Sequence, residues 1–128
     1  MPYKRAMTTI NPDPWPTELR LKDQGRTLAV TFDDGARFDL AAEYLRVMSP
    51  SAEVQGHSAA ERKTIGGKRN VGVSSVVPVG HYAVRLVFSD GHETGIFSWP
   101  YLHELGRDHA VRWAGYETEL AKKGLSRG

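Results

Sequence analysis

The sequence predicts an α+β domain: an antiparallel-rich sheet built from a duplicated strand–Asp-Gly turn–strand–short helix unit, plus a C-terminal helix. Three observations predict it. Several short stretches alternate polar and apolar residues with period two, as half-buried strands do. Two of them run into an Asp-Gly pair, Asp34-Gly35 and Asp90-Gly91, where glycine supplies the positive φ of a tight reversal. Finally, the two turns head similar passages. Val30-Thr31-Phe32-Asp33-Asp34-Gly35 leads through a strand to Tyr44-Leu45, and Leu86-Val87-Phe88-Ser89-Asp90-Gly91 leads through a strand to Tyr101-Leu102. One such unit alone cannot cover both faces of its apolar layer, so duplication is the economical reading.

The elements follow in order. Residues 1–16 carry Pro2, Pro12, Pro14 and Pro16, which remove backbone donors and favour an extended arm, with Trp15 placed to pin its end. Glu18-Leu19-Arg20-Leu21-Lys22 and the Leu28, Val30, Phe32 alternation make a hairpin around Asp23-Gln24-Gly25-Arg26. Residues 36–40 form a third strand. Residues 41–48 are good helix formers, with Tyr44, Leu45 and Met48 at helical spacing, and Ser49-Pro50-Ser51 stops them. Residues 52–70 read as a long polar connection with one helical turn near Ala59.

Residues 73–79 are β-branched, residues 81–88 alternate through Tyr82, Val84, Leu86 and Phe88, and residues 93–99 follow the second Asp-Gly turn. Residues 100–105 read as a short helix with Pro100 in its first turn, stopped by Gly106. A last helix over 108–123 takes Asp108 as cap and Lys122 and Lys123 near its C-terminal end. Its apolar face is thin (Ala110, Trp113, Tyr116, Leu120), suiting weak packing or a surface completed in an oligomer. The expected organisation is an arm over 1–16, the domain over 17–107, and a helix and tail over 108–128.

Composition sets the function classes. With 128 residues, 40% hydrophobic and 25% charged, the chain suits one domain with a modest core. A net charge of +2, and a basic run (Arg62-Lys63-Thr64-Ile65-Gly66-Gly67-Lys68-Arg69-Asn70) without aromatics, argue against nucleic acid. The absence of cysteine excludes disulfides, thiolate metal sites and cysteine nucleophiles. No apolar run is long enough to span a bilayer and the N-terminus lacks a signal-peptide core, so a cytoplasmic protein is expected.

No complete catalytic constellation is visible. The histidines, His57, His81, His92, His103 and His109, form no HxH, HxxxH or HExxH pair. Asp33, Asp34 and Asp90 are expected at hairpin turns for conformational reasons. There is no GxSxG elbow, and the basic run lacks the first glycine of a phosphate loop. Its glycine amides beside Lys68 and Arg69 could still hold an anion.

A longer pattern is more specific. Glu43-Tyr44-Leu45-Arg46, Ser49-Pro50-Ser51-Ala52-Glu53-Val54-Gln55-Gly56-His57, the passage from Gly80-His81-Tyr82 through Phe88-Ser89-Asp90-Gly91-His92-Glu93-Thr94-Gly95 to Trp99, and the closing Tyr101-Leu102 and Leu105-Gly106 resemble the gamma-butyrobetaine hydroxylase-like N-terminal domain family. The resemblance covers about residues 16–107. It implies a domain that occurs alone in small bacterial proteins, ahead of 2-oxoglutarate-dependent carnitine-pathway oxygenases, and beside some Mrp-type iron–sulfur carriers. The oxygenase iron and 2-oxoglutarate sites belong to the catalytic domain downstream, so hydroxylase activity does not carry over. In the oxygenases this small domain holds zinc through three cysteines and a histidine. The histidine matches His92, whereas Ser49, Ser51 and Val54 stand at the thiolate places. Hydroxyls and a valine cannot replace thiolates.

The expectation is therefore a non-enzymatic accessory or interaction module with no cofactor, its partner a protein, with iron–sulfur or redox metabolism suggested by the family's fusions. Arg46, His57, Lys68, Arg69, His92 and Trp99 are the candidate ligand or partner surface. The alternative is a metal- or small-ligand-binding protein, with zinc or iron at His57, Asp90 and His92. A stand-alone enzyme is the third reading. Self-association stays open.

Overall fold

The computed structural model describes residues 14–51, 54 and 63–128. Alternation in the sequence becomes two antiparallel three-stranded sheets, ordered β1-β2-β3 and β4-β5-β6. The first holds β1 (Pro16–Lys22), β2 (Thr27–Phe32) and β3 (Arg37–Ala41) and runs directly into α1 (Ala42–Val47). The second holds β4 (Val73–Val79), β5 (Ala83–Phe88) and β6 (Ile96–Ser98) and runs into α2 (Trp99–Arg107), with α3 (His109–Lys122) after it. The chain is α+β, and each copy of the repeated unit is a three-strand meander ending in a helix. On β2 the alternate residues Leu28, Val30 and Phe32 point inward, and on β5 Val84, Leu86 and Phe88 do the same. Both sets join one apolar cluster with Leu40, Tyr44, Leu45, Phe97, Leu102 and Leu105. Full burial of one such side chain contributes roughly 1.5–3 kcal/mol.

The two units grip each other through exchanged contacts. Gly35 has φ 90° and Gly91 φ 93°, and each follows an aspartate that caps its own turn. Asp34 Oδ1 accepts from the Ala36 amide at 2.9 Å, and Asp90 Oδ1 accepts from the His92 amide at 3.1 Å. The second oxygen of each carboxylate then crosses to the other unit's helix. Asp34 Oδ2 lies 2.9 Å from His103 Nε2 on α2, and Asp90 Oδ2 lies 2.8 Å from Arg46 Nε on α1. The tyrosines exchange partners in the same way. Tyr44 donates to the Leu105 carbonyl at 2.7 Å, four residues past Tyr101, and Tyr101 donates to the Met48 carbonyl at 2.6 Å, four residues past Tyr44. Burial pushes the Tyr44 phenol up to about 12.

Several local expectations need correction. The strand expected over 93–99 is confined to Ile96–Ser98, the stretch that pairs with Ala83–Arg85, and Gly95 just before it lies so close to the Ser49 hydroxyl that a Cβ there would meet it at 2.3 Å. Gly106 does not stop its helix. It sits inside α2 because the Phe38 ring covers its Cα, leaving 2.3 Å for any Cβ. Asp108 does not cap α3 with its side chain, since both its oxygens are taken by Arg107 at 3.0 Å. Trp15 is held through its backbone, its amide donating to Asp33 Oδ1 at 2.9 Å, while its ring stays exposed; the arm expected before it lies, over residues 1–13, outside the described residues. The helical turn expected near Ala59 lies outside the described residues.

The last helix and tail are woven into the domain. Tyr116 and Leu120 are buried in the core cluster and Trp113 packs against it, whereas Ala110 is exposed. Beyond α3 the chain returns beside the basic run: the Gly67 amide donates to the Ser126 carbonyl and the Arg69 amide to the Arg127 carbonyl, both at 2.9 Å. Arg127 then closes a two-pronged ion pair on the buried Glu43 carboxylate at 2.9 and 2.8 Å. Those amides of the basic run thus bind the chain itself.

Candidate functional site

The turn that ends α1 and the second Asp-Gly turn meet at one corner. Ser49-Pro50-Ser51 breaks the helix because proline cannot continue it and the serine hydroxyls compete for backbone groups. The Ser49 hydroxyl accepts from the Ser51 amide at 3.3 Å and is hydrogen-bonded to His92 Nε2 at 2.9 Å. Ser51 Oγ is hydrogen-bonded to Thr94 Oγ1 at 2.8 Å. Val54 is buried and lines, with Arg46, Ile65, His92 and Thr94, a cavity of 360 Å³. The four positions that the resemblance assigns to zinc therefore gather in space.

Their chemistry does not fit zinc. One imidazole faces two hydroxyls, both already hydrogen-bonded, and a valine methyl pair, where zinc wants thiolate, imidazole or carboxylate at each place. Among the described residues no group of three or more histidines, aspartates and glutamates is placed to hold a metal ion. Asp90 and His92 meet through the His92 backbone amide, and His57 lies outside the described residues.

Asp90 organises the charge of this corner. Its Oδ2 takes Arg46 Nε at 2.8 Å and Lys68 Nζ at 2.6 Å. Burial pushes the carboxyl up, but hydrogen bonds from Lys68, the His92 amide and Arg46 outweigh it and hold Asp90 at about 2. Two permanent cations thus share one carboxylate. Arg46 has a further feature: its Nη1 is buried and has no hydrogen-bond partner among the described residues. A buried donor left unsatisfied costs about 1–3 kcal/mol, more when charged.

Of the residues singled out in the sequence, the fold brings together Arg46, Lys68, Asp90 and His92. Arg69 contributes its backbone amide to the tail. Trp99 begins α2, with its indole nitrogen donating to the His81 carbonyl at 2.7 Å and its ring against the core. Sequence reasoning missed Ile65 and Thr94. Thr94 carried a usable signal, two residues after His92 as Ser51 is two after Ser49; Ile65 carried none.

The family model described as gamma-butyrobetaine hydroxylase-like, N-terminal, matches residues 19–103. The chain belongs to that family. No curated protein matches it. Among solved structures, an NMR solution structure is 44% identical, with a TM-score of 0.78, covering 90% of this chain and 90% of the other. A second NMR structure is 43% identical, also at 0.78, covering 95% of this chain and 91% of the other. A crystal structure of a protein of unknown function of the DUF971 family, from Acidithiobacillus ferrooxidans ATCC 23270, is 45% identical. Its TM-score is 0.60, over 71% of this chain and 91% of the other.

Proposed function

We propose that this domain is a non-enzymatic interaction module that uses the Asp90 corner to recognise an acceptor-bearing, acidic segment of a protein partner. The observation that carries the reading is the Arg46 guanidinium at the wall of the 360 Å³ cavity, whose buried Nη1 finds no acceptor among the described residues; Asp90 is shared between Arg46 and Lys68, and Glu93, also at the wall, is paired with Arg85. A carboxylate or carbonyl from a partner satisfies that donor and balances the second cation. The hydroxyls here serve the fold: Ser49 binds His92 and the following turn, and Ser51 binds Thr94. The fusions implied by the family resemblance make an iron–sulfur or redox protein the first partner to try, an argument by analogy.

The test pairs two measurements. Quantitative affinity capture compares the wild-type chain with Lys68→Glu, and elemental analysis of anaerobically purified protein precedes titration with Fe(II) and Zn(II). A specific partner lost with Lys68→Glu is the expected result. Stoichiometric metal that disappears in His92→Ala overturns the reading in favour of a metal-binding protein built on His57, Asp90 and His92. Turnover abolished by one polar substitution in the cavity would make the chain an enzyme.

A further inference from the structure

A second, larger cavity of 490 Å³ lies between the end of α1 and one face of α3. It shares no lining residue with the cavity beside His92. Its apolar floor is Val47, Met48 and Tyr116, all buried. Around it stand three cations, Lys63, Arg112 and Lys123. Against them are two carboxylates: Glu104 is paired with Arg112, and Glu119 stands 3.7 Å from Lys123. Lys123 also donates to Thr64 Oγ1 at 2.9 Å, which fixes its ammonium beside the wall formed by Lys63 and Thr64.

A separate observation points to an occupant. Gly115 sits in the interior of α3, where glycine weakens a helix relative to alanine. Elsewhere in this fold helical glycine has a steric reason, as at Gly106 under the Phe38 ring. A Cβ at Gly115 would meet nothing within 4 Å, and the residue lines the cavity. No neighbour among the described residues covers it, so the glycine leaves the α3 backbone open to the cavity, with room for a ligand to lie on it.

We propose that this cavity binds a small amphipathic organic anion, with its apolar body on Val47, Met48 and Tyr116 and its acidic head toward Lys63, Arg112 and Lys123. The volume falls in the range of small-molecule sites, roughly 300–1,000 Å³. An apolar floor and a cationic rim select a molecule with both characters. A purely inorganic anion leaves the floor wet, and a neutral apolar molecule offers nothing to Lys63, which has no carboxylate partner among the described residues.

The experiment uses the full chain and 8-anilinonaphthalene-1-sulfonate, which has an aromatic body and a single sulfonate. The expected result is saturable one-to-one fluorescence binding, displaced by decanoate and not by decanol. Lys63→Glu and Lys123→Glu each weaken it by about tenfold or more, and Gly115→Leu abolishes it. Proton–nitrogen correlation spectra establish that each variant keeps the native fold, so that dye binding by a loosened core is recognised. The surface variant Lys63→Glu carries the test if Gly115→Leu proves misfolded. Absence of saturable binding overturns the proposal, as does binding unchanged in a folded Gly115→Leu or Lys63→Glu variant. Displacement by decanol as strong as by decanoate overturns it too.

Discussion

The two units of this domain use one backbone design and furnish it differently. At the first corner Asp34 meets His103, an imidazole set edge-on to Phe32 and Phe38 at 4.8 and 5.6 Å. At the second, Asp90 meets Arg46 and Lys68, with His92, Ser49 and a cavity beside them. Aligning the tyrosines sets Arg46 against His103 and Ser49 against Gly106, whose Cα is covered by Phe38. One corner is closed by an aromatic ring and the other is left polar and hollow. Duplication supplies the frame, and the side chains at a few equivalent positions decide which corner is filled and which keeps a cavity.

The largest expected effect tests that polar corner directly. The family resemblance places thiolates at Ser49, Ser51 and Val54, and the structure gathers all three around His92. The triple variant Ser49→Cys, Ser51→Cys, Val54→Cys is expected to take up stoichiometric zinc, measured by elemental analysis, and to lose it when His92→Ala is added. Structural zinc sites contribute roughly 10–16 kcal/mol of apparent binding energy in small peptides, so even a poor site is detectable.

Next in size is removal of the carboxylates. Asp90→Ala strands two cations, one of them largely buried, and should cost about 2–4 kcal/mol in urea denaturation. Asp34→Ala breaks an exposed pair and should cost less than about 1 kcal/mol. Equal losses would erase the distinction between the corners. The tyrosines scale similarly. Tyr44→Phe leaves the Leu105 carbonyl without its donor in the fully buried core and should cost about 1–3 kcal/mol. Tyr101→Phe, at a partly exposed site, should cost about 1 kcal/mol.

The pH dependence separates the corners as well. Asp90 is held at about 2, below its ordinary 3.8, so its stabilisation is fully present above 3.8 and is lost as pH falls toward 2. Asp34 is also lowered, first by the Ala36 amide, against a smaller opposing effect of burial and with help from His103. A carbon-detected titration of the two carboxyls should find Asp90 near 2 and Asp34 below the usual value. The smallest effect is expected from His103→Arg, which gives the first corner a permanent cation. The pair is solvent-accessible, so urea denaturation should find stability changed by only a few tenths of a kcal/mol.

Much of the frame was legible because its signals are local. Period two marked the strands, Asp-Gly marked both reversals, and the repeated Tyr-Leu marked both helices. Most of what escaped depends on pairs far apart in the chain. Nothing near Gly106 announces that Phe38 covers it, so a local rule read a stop where packing continues the helix. Asp108 looked like a cap until Arg107, one residue away, engaged it. The Arg46 guanidinium and the Asp90 carboxylate were each visible, as was Lys68, but their meeting follows from how two units dock. The cavity over Gly115 was hidden for the same reason, since its walls come from α1, α3 and the segment at Lys63.

The crossed tyrosines carry a consequence for how this protein can be dismantled. The Tyr44 phenol reaches the Leu105 carbonyl in the last turns of α2, the Tyr101 phenol reaches the Met48 carbonyl just past α1, and each turn anchors on the other unit's helix. A backbone opened between the two units would yield fragments that recognise one another rather than two free-standing pieces. Co-expressed as separate polypeptides, they are expected to reassemble, giving a small split scaffold whose reunion depends on Tyr44 and Tyr101.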